Sequence, residues 1–275
     1  MSKKYELLDC GDQKKIENFG DYKVIRPCPQ AMWSIKKPEL WEYADNEFKR
    51  QDGDKGSWQK IRKDLPKDWI IESPGGLLWK IQPNEFGNMG IFTEHWLYAF
   101  NLPKLFAPRE GKILNLFSYT GSNCLPLIEA GFGVTVVDSS RNAMGDYAKN
   151  LELNELPREN QRLILEDVHK FVAREIRRKV KYSGIIVDAP SFGRGTKGEV
   201  FNIESDLLKL LKDCKQLLHK QGRLILTLHS PRFTLGILNN LMKDIFEDKN
   251  IYVKELLNPC KSGVTLPSGF LVEVL

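Results

Sequence analysis

From about residue 108 onward, short apolar runs alternate with stretches patterned for helices, and this alternation restricts the fold more than any other feature of the chain. The strand candidates are residues 113–117, 134–137, 163–165, 184–187, 224–228, 251–257 and 270–274. Helical patterns occupy residues 123–130, 141–153, 168–180, 203–220 and 234–247. Strands separated by helices must pair in parallel through crossover connections, which predicts a doubly wound α/β sheet of Rossmann-like type. The early strands are unbroken apolar runs, as helices covering both faces require. The 203–220 stretch is the clearest helix. Ile203, Leu207, Leu208, Leu211, Cys214, Leu217 and Leu218 fall on one face, with Asn202 as N-cap and Gly222 closing it.

The front of the chain reads differently. Five of its six tryptophans (Trp33, Trp41, Trp58, Trp69, Trp79) precede residue 90, and the sixth is Trp96. Strand-like pieces at 22–26, 69–72 and 77–81 flank a charged helical candidate at 38–50 and a polar turn at 51–57. Residues 1–107 are therefore expected to form a small α+β domain, with a Pro-containing linker near 103–111. Residues 108–275 are expected to form the ligand-binding domain.

Composition excludes several classes. With 41% apolar and 28% charged residues among 275, the chain has the makeup of a soluble globular protein. No apolar run is long enough to span a bilayer, and the first residues are too polar for a signal peptide. The five cysteines are scattered without a C-x-x-C pair, which argues against a disulfide framework or a zinc site and for a reducing, cytoplasmic setting. No metal is expected. The net charge of +5 suits a polyanionic partner and equally a solvated surface of mixed sign.

The segment most suggestive of chemistry is the first strand-to-helix turn, Phe117-Ser118-Tyr119-Thr120-Gly121-Ser122. In an open parallel sheet, the carboxyl end of the first strand lies where the winding reverses, and ligands bind there. Gly121 would let backbone approach a ligand, and the hydroxyls of Ser118, Thr120 and Ser122 stand nearby; a plain strand–turn–helix junction fits the same residues. Asp138 ends the next strand, 17 residues beyond Gly121. An acid so placed can accept both hydroxyls of a ribose. Its alternative role is to cap the helix near Arg141, in competition with Ser139 and Ser140. One glycine does not make the G-x-G-x-x-G cradle of a dinucleotide, and no phosphate loop of the G-x-x-x-x-G-K type occurs. A nucleoside with an amino-acid tail, S-adenosylmethionine, fits better.

Two further acids fall at strand ends. Glu166 or Asp167 could accept from an adenine amino group. Asp188 opens Asp188-Ala189-Pro190-Ser191-Phe192, where Phe192 offers a face for a flat base or else packs under the loop. Arg194 and Lys197 then make a cationic loop suited to phosphates, or simply a solvated one. Lys170, Arg174, Arg177 and Arg178 form a stripe on one helix that reads as a phosphate contact or a solvated face.

Residues 115–121 (Asn-Leu-Phe-Ser-Tyr-Thr-Gly) resemble the N-L-F-x-Y-T-G signature of class I S-adenosylmethionine-dependent methyltransferases of the large-subunit ribosomal RNA type. Residues 137–140, 150–154 and 188–192 match that family in the same order, and residues 90–95 match more loosely. The resemblance covers roughly residues 85–275. It implies a seven-stranded sheet whose last strand is antiparallel, and RNA, ribosomal by resemblance, as partner. It also implies that the Phe117–Ser122 turn holds the methionine part, Asp138 with Ser139 and Ser140 the ribose, and Asp167 with Val168 the adenine. Asp188, Pro190, Ser191 and Phe192 would flank the methyl group and the target base.

Two departures bear on substrate. No cysteine lies in the Asp188 loop or in Thr227-Leu228-His229-Ser230-Pro231, so covalent attack on cytosine C5 is not expected. Ala189 and Ser191 also depart from the pattern of amino-group methylation. Direct transfer of the methyl group is the expected chemistry, with His229 as a secondary acid–base candidate. The rival readings are a non-catalytic RNA-binding or assembly factor on the same fold, and a nicotinamide-dependent oxidoreductase.

Overall fold

The structure is a computed structural model and describes residues 4–51, 55–107, 111–195 and 198–275. The chain divides into two compact units, one formed by residues up to Leu97 with Leu257–Pro267, the other by Tyr98–Leu256 with Ser268–Leu275. The boundary at Leu97–Tyr98 lies ahead of residues 107–108, where the sequence reading places it.

The first unit is built on a five-stranded sheet ordered β1 (Tyr5–Gly11), β2 (Lys14–Phe19), β3 (Tyr22–Pro27), β4 (Asn46–Arg50) and β5 (Gly56–Lys60). Only β3 and β4 pair in parallel; the other neighbours are antiparallel. Asp12 and Gln13 close the β1–β2 turn with φ of 49° and 59°, the left-handed pair that a two-residue hairpin loop demands. A second, two-stranded sheet joins β6 (Trp69–Glu72) to β7 (Leu78–Ile81), whose Trp79 and Ile81 are fully buried.

The helix expected at 38–50 is absent. A short 3-10 turn, Pro38–Leu40, leads into β4 instead. Two kinds of burial decide this. Leu40 and Trp41 pack onto the apolar cluster of Leu8, Ile16, Ile25 and Ala44. Asn46 and Phe48 alternate inward while Lys49 and Arg50 face solvent, a period of two that the flanking charges disguise. The unit is thus β-structured with 3-10 turns rather than α+β in detail. Of the polar turn at 51–57, residues 52–54 lie outside the described residues.

The short helix α1 (Trp96–Ala99) spans the boundary, and α2 (Leu102–Leu105) precedes strand β8 (Ile113–Leu116) in the second unit, so part of the expected linker is helical. The chain continues through α3 (Leu125–Glu129), β9 (Val134–Asp138), α4 (Arg141–Leu153), β10 (Gln161–Leu165), α5 (Val168–Arg177) and β11 (Tyr182–Ala189). A small hairpin, β12 (Phe192–Arg194) with β13 (Val200–Asn202), comes next. Then follow α6 (Ile203–Leu217), β14 (Leu218–Leu228), α7 (Leu235–Ile245), β15 (Ile251–Pro259) and β16 (Thr265–Val274).

The seven-stranded sheet runs β10-β9-β8-β11-β14-β16-β15. The pairs from β10 through β14 are parallel, and β16 runs antiparallel to β14, as the resemblance implies. The chain winds outward from β8 through β9 to β10, then crosses back to β11. The reversal between β8 and β11 opens a crevice at their carboxyl ends.

The core of this unit runs along both sides of β11 and β14. Leu207, Leu210, Leu211, Cys214 and Leu217 of α6 bury against Ile185, Val187, Leu224 and Leu226. Leu208, expected on that face, is exposed, and Leu210 takes its place. The helix ends at Leu217, short of Gly222, because Leu218 enters the sheet opposite Tyr182.

Candidate active site

At the end of β8 the backbone turns through left-handed conformations. Phe117 and Tyr119 have φ of 55° and 50°, and Gly121 has 95°. Non-glycine residues in this region carry about 1–3 kcal/mol of strain each, which the surrounding structure must over-determine. Here the supports are visible. Asn150 Nδ2 donates to Thr120 O at 3.1 Å, Asn115 Nδ2 donates to Asn123 Oδ1 at 3.0 Å, and Ser118 N donates to Val137 O at 3.2 Å. A Cβ on Gly121 would fall 2.3 Å from Leu125 and 2.8 Å from the Tyr147 ring. The space that this glycine leaves is therefore filled by the chain itself. Ser118, Thr120 and Ser122 are each only 2% exposed, and the Ser118 hydroxyl points at Met144 Sδ, 3.8 Å away. The three hydroxyl residues are thus buried within the turn. The helix expected from residue 123 begins at Leu125 and is five residues long.

The turn is bound to the end of β9. Asp138 Oδ2 accepts from Tyr119 N at 2.9 Å, and Oδ1 accepts from Ser140 N at 2.8 Å. Burial pushes this carboxyl above its ordinary value of 3.8 against the two N–H donors, and the charge of Asp188 adds to the rise. Asp138 and Asp188 are thus electrostatic neighbours. The cap of α4 is Ser140, whose Oγ accepts from Ala143 N at 3.2 Å, so Asp138 does not cap that helix. Ser139 lies between them, half-buried.

The other two strand ends complete the row. Asp167 caps α5 by accepting from Lys170 N at 3.0 Å, and Val168 beside it is buried. Glu166 is held by Arg174 at 2.6 Å, which separates the two adenine candidates by their commitments. At the end of β11, Asp188 Oδ1 accepts from Thr227 Oγ1 at 2.7 Å across the register of β11 with β14. His229 lies two residues further on. Its Nδ1 is 2.8 Å from the Ser268 carbonyl oxygen, which can only accept, so Nδ1 carries the proton there. His229 Nε2 stands 3.9 Å from Asp188 Oδ1. The imidazole fits because residue 269 is glycine; a Cβ there would lie 2.6 Å from Nδ1.

Beyond Asp188, Ala189 is buried, Pro190 half-buried and Ser191 exposed. Phe192 is 53% exposed, with the Arg194 guanidinium 5.6 Å from its ring centre. It is therefore an open face and not a core aromatic. The expected flexible loop forms the β12–β13 hairpin, closed where Gly195 N donates to Glu199 O at 2.8 Å. Lys197 lies outside the described residues. The hairpin brings Phe201 to 4.9 Å from the Phe117 ring. The cationic stripe on α5 is laced with acids, Lys170 to Glu199, Arg174 to Glu166 and Arg178 to Glu175. Sequence reasoning missed Thr227 and Phe201. A lone hydroxyl inside the apolar run 224–228 was a usable signal for Thr227; nothing local marks Phe201.

No family model matches the chain. A solved S-adenosylmethionine-dependent methyltransferase from Agrobacterium tumefaciens is 32% identical, with a TM-score of 0.90 over 98% of this chain and 90% of that one. The ribosomal RNA large subunit methyltransferase K of Neisseria meningitidis is 25% identical over 252 residues, covering 88% of this chain and 69% of the relative. The K/L enzyme of Buchnera aphidicola is 28% identical over 191 residues, which are 68% of this chain and 25% of that longer protein. The chain belongs to the S-adenosylmethionine-dependent methyltransferases, and S-adenosylmethionine is its cofactor. No described helix is long and apolar enough to cross a membrane.

Proposed function

We propose that the chain transfers a methyl group from S-adenosylmethionine to a base in RNA, ribosomal RNA by analogy with the named relatives, in a reducing cytoplasmic setting. The observation that carries the reading is the row of strand ends, where Asp138 accepts from Tyr119 N of the strained turn and Asp188 accepts from Thr227 Oγ1. These residues fit the cofactor. A desolvated carboxylate that offers only acceptors suits ribose hydroxyls, and the single-glycine turn offers no diphosphate cradle. In this reading the Phe117–Ser122 turn takes the methionine portion through its backbone, Asp138 with Ser139 and Ser140 takes the ribose, and Asp167 with Val168 borders the adenine.

The bound cofactor would supply an activated methyl group on a sulfonium, so the protein's task is alignment. Thr227 fixes the plane of the Asp188 carboxylate, which then accepts from the N–H of the incoming base and orients its nitrogen. Pro190 stiffens the loop, Ser191 stands exposed beside it, and Phe192 with Arg194 stacks the base and meets a phosphate. Lys197 belongs to the same expected contact. The two units are read as a transfer domain and an accessory β domain.

The test is to incubate the protein with methyl-labelled cofactor and RNA from a strain lacking its gene, then digest the RNA. Label in one nucleoside supports the reading. Label found in protein or small molecules and absent from RNA overturns it.

A further inference from the structure

The first unit holds a cavity that the transfer chemistry does not use. It measures about 170 Å³ and is lined by Lys15, Arg26, Arg50, Phe48, Phe86 and Asn88, among others. A second hollow of about 450 Å³ adjoins it, shares Pro27, Phe48 and Arg50, and adds Lys14 and Lys49. The smaller space is below the usual range for a whole ligand and suits one flat ring or one phosphate. The acids present are Glu94 at the first cavity and Asp12 and Glu47 at the second.

The floor is built rather than accidental. Glu17 is fully buried beneath it and accepts from Arg26 Nε at 2.7 Å and Nη2 at 2.8 Å, while Lys15 reaches the same carboxylate at 3.1 Å. Arg26 Nη1 donates to Gly87 O at 3.2 Å, so the guanidinium is tied to both walls. Lys15 and Arg26 are balanced by Glu17 and by Glu94 at the same cavity, so the excess positive charge comes from Arg50, and a clamped guanidinium loses little freedom on meeting an anion. The rim is fixed as well. Asn84 Oδ1 accepts from Phe86 N and Asn88 N, and Gly87 sits so close to the Phe48 ring that a Cβ would clash at 2.7 Å. On that rigid turn Phe86 is 46% exposed, with Lys55 Nζ 5.6 Å from its ring centre. Arg50 is exposed at the junction of the two hollows, and among the described residues it has no ion-pair partner.

An exposed aromatic on a rigid turn, cations at the mouth and a guanidinium on the floor together match the chemistry of a nucleotide in an unpaired strand. We propose that this cavity is a pocket for single-stranded RNA, with a base stacked on Phe86 and the adjoining phosphate held by Arg50 and Lys15. The proposal rests on the RNA reading given above. An acidic peptide would satisfy the cations but would leave the stacking face without a use.

The test is fluorescence anisotropy of the full chain with a labelled, unstructured oligoribonucleotide, across a salt series. Phe86→Ala is expected to weaken binding about tenfold with the salt dependence unchanged, because stacking is not ionic. Arg50→Ala is expected to weaken binding at low salt and to lower the slope of log affinity against log salt by about 0.7. Both residues are exposed, and an unchanged circular-dichroism spectrum and urea-unfolding midpoint certify the fold of each variant. A Phe86→Leu variant that binds like wild type, showing bulk rather than stacking at work, overturns the assignment. If wild type binds and methylates RNA while both alanine variants bind equally well, the pocket fails and the RNA reading stands. If wild type binds no RNA at all, both fall.

Discussion

The crevice of the seven-stranded sheet and the cavity of the five-stranded sheet are built from opposite charges. In the crevice, carboxylates at the ends of β9 and β11, on either side of β8, are held by backbone N–H groups and a threonine hydroxyl, with burial raising the Asp138 carboxyl. In the cavity, one fully buried carboxylate carries two cations outward. Burial by itself would raise Glu17, but Arg26 and Lys15 outweigh it and draw its carboxyl down to about 2. The contrast matches the two ligands proposed. Hydroxyls and amino groups need acceptors, phosphates need donors, and one chain supplies each on a separate sheet.

The largest effect should come from the crevice. If Asp188 orients the acceptor as proposed, replacing it by alanine should lower kcat by about 10²–10⁴-fold in a label-transfer assay. If turnover is unaffected, the acidic row has no part in transfer.

The second prediction concerns the cavity floor and its pH dependence. Glu17 binds its proton more weakly in the folded chain than in the unfolded chain, where the ordinary value is 4.5. The resulting stability is fully present above about 4.5 and is lost as pH falls toward about 2. Its size is on the order of 3 kcal/mol. Urea unfolding across that window should show a loss of this order in wild type and a much smaller one in Glu17→Gln. Equal acid sensitivity of the two would mean that the floor is not the ion pair described.

Smaller effects return to the crevice. Asp138→Ala should weaken cofactor binding by about 1–3 kcal/mol by calorimetry, through lost charge-assisted hydrogen bonds. Thr227→Val removes one hydrogen bond to Asp188 and should cost about 1 kcal/mol, seen in kcat with cofactor affinity preserved. A loss in affinity of the same size would place Thr227 in cofactor binding instead.

The two regions also differ in how much of them could be read from sequence. The crevice announces itself because its strands are continuous apolar runs ending in acids, and because Asn115–Gly121 is a contiguous motif. Its details are less local. Gly121 makes room for Tyr147, 26 positions away, and Thr227 reaches Asp188 only through strand register. The hairpin of β12 and β13 has strands of three residues each, too short to show any period. The five-stranded unit is harder still. Residues 46–50, Asn-Glu-Phe-Lys-Arg, have a helical composition, and only pairing with β3 and β5 makes them a strand. The end of α6 at Leu217 is likewise set by the partner strand and not by Gly222.

The account depends most on where the cofactor sits. A crystal structure with S-adenosylhomocysteine should show both ribose hydroxyls on the Asp138 carboxylate and the sulfur facing Asp188. A nucleoside bound away from the ends of β8 and β9 would contradict it.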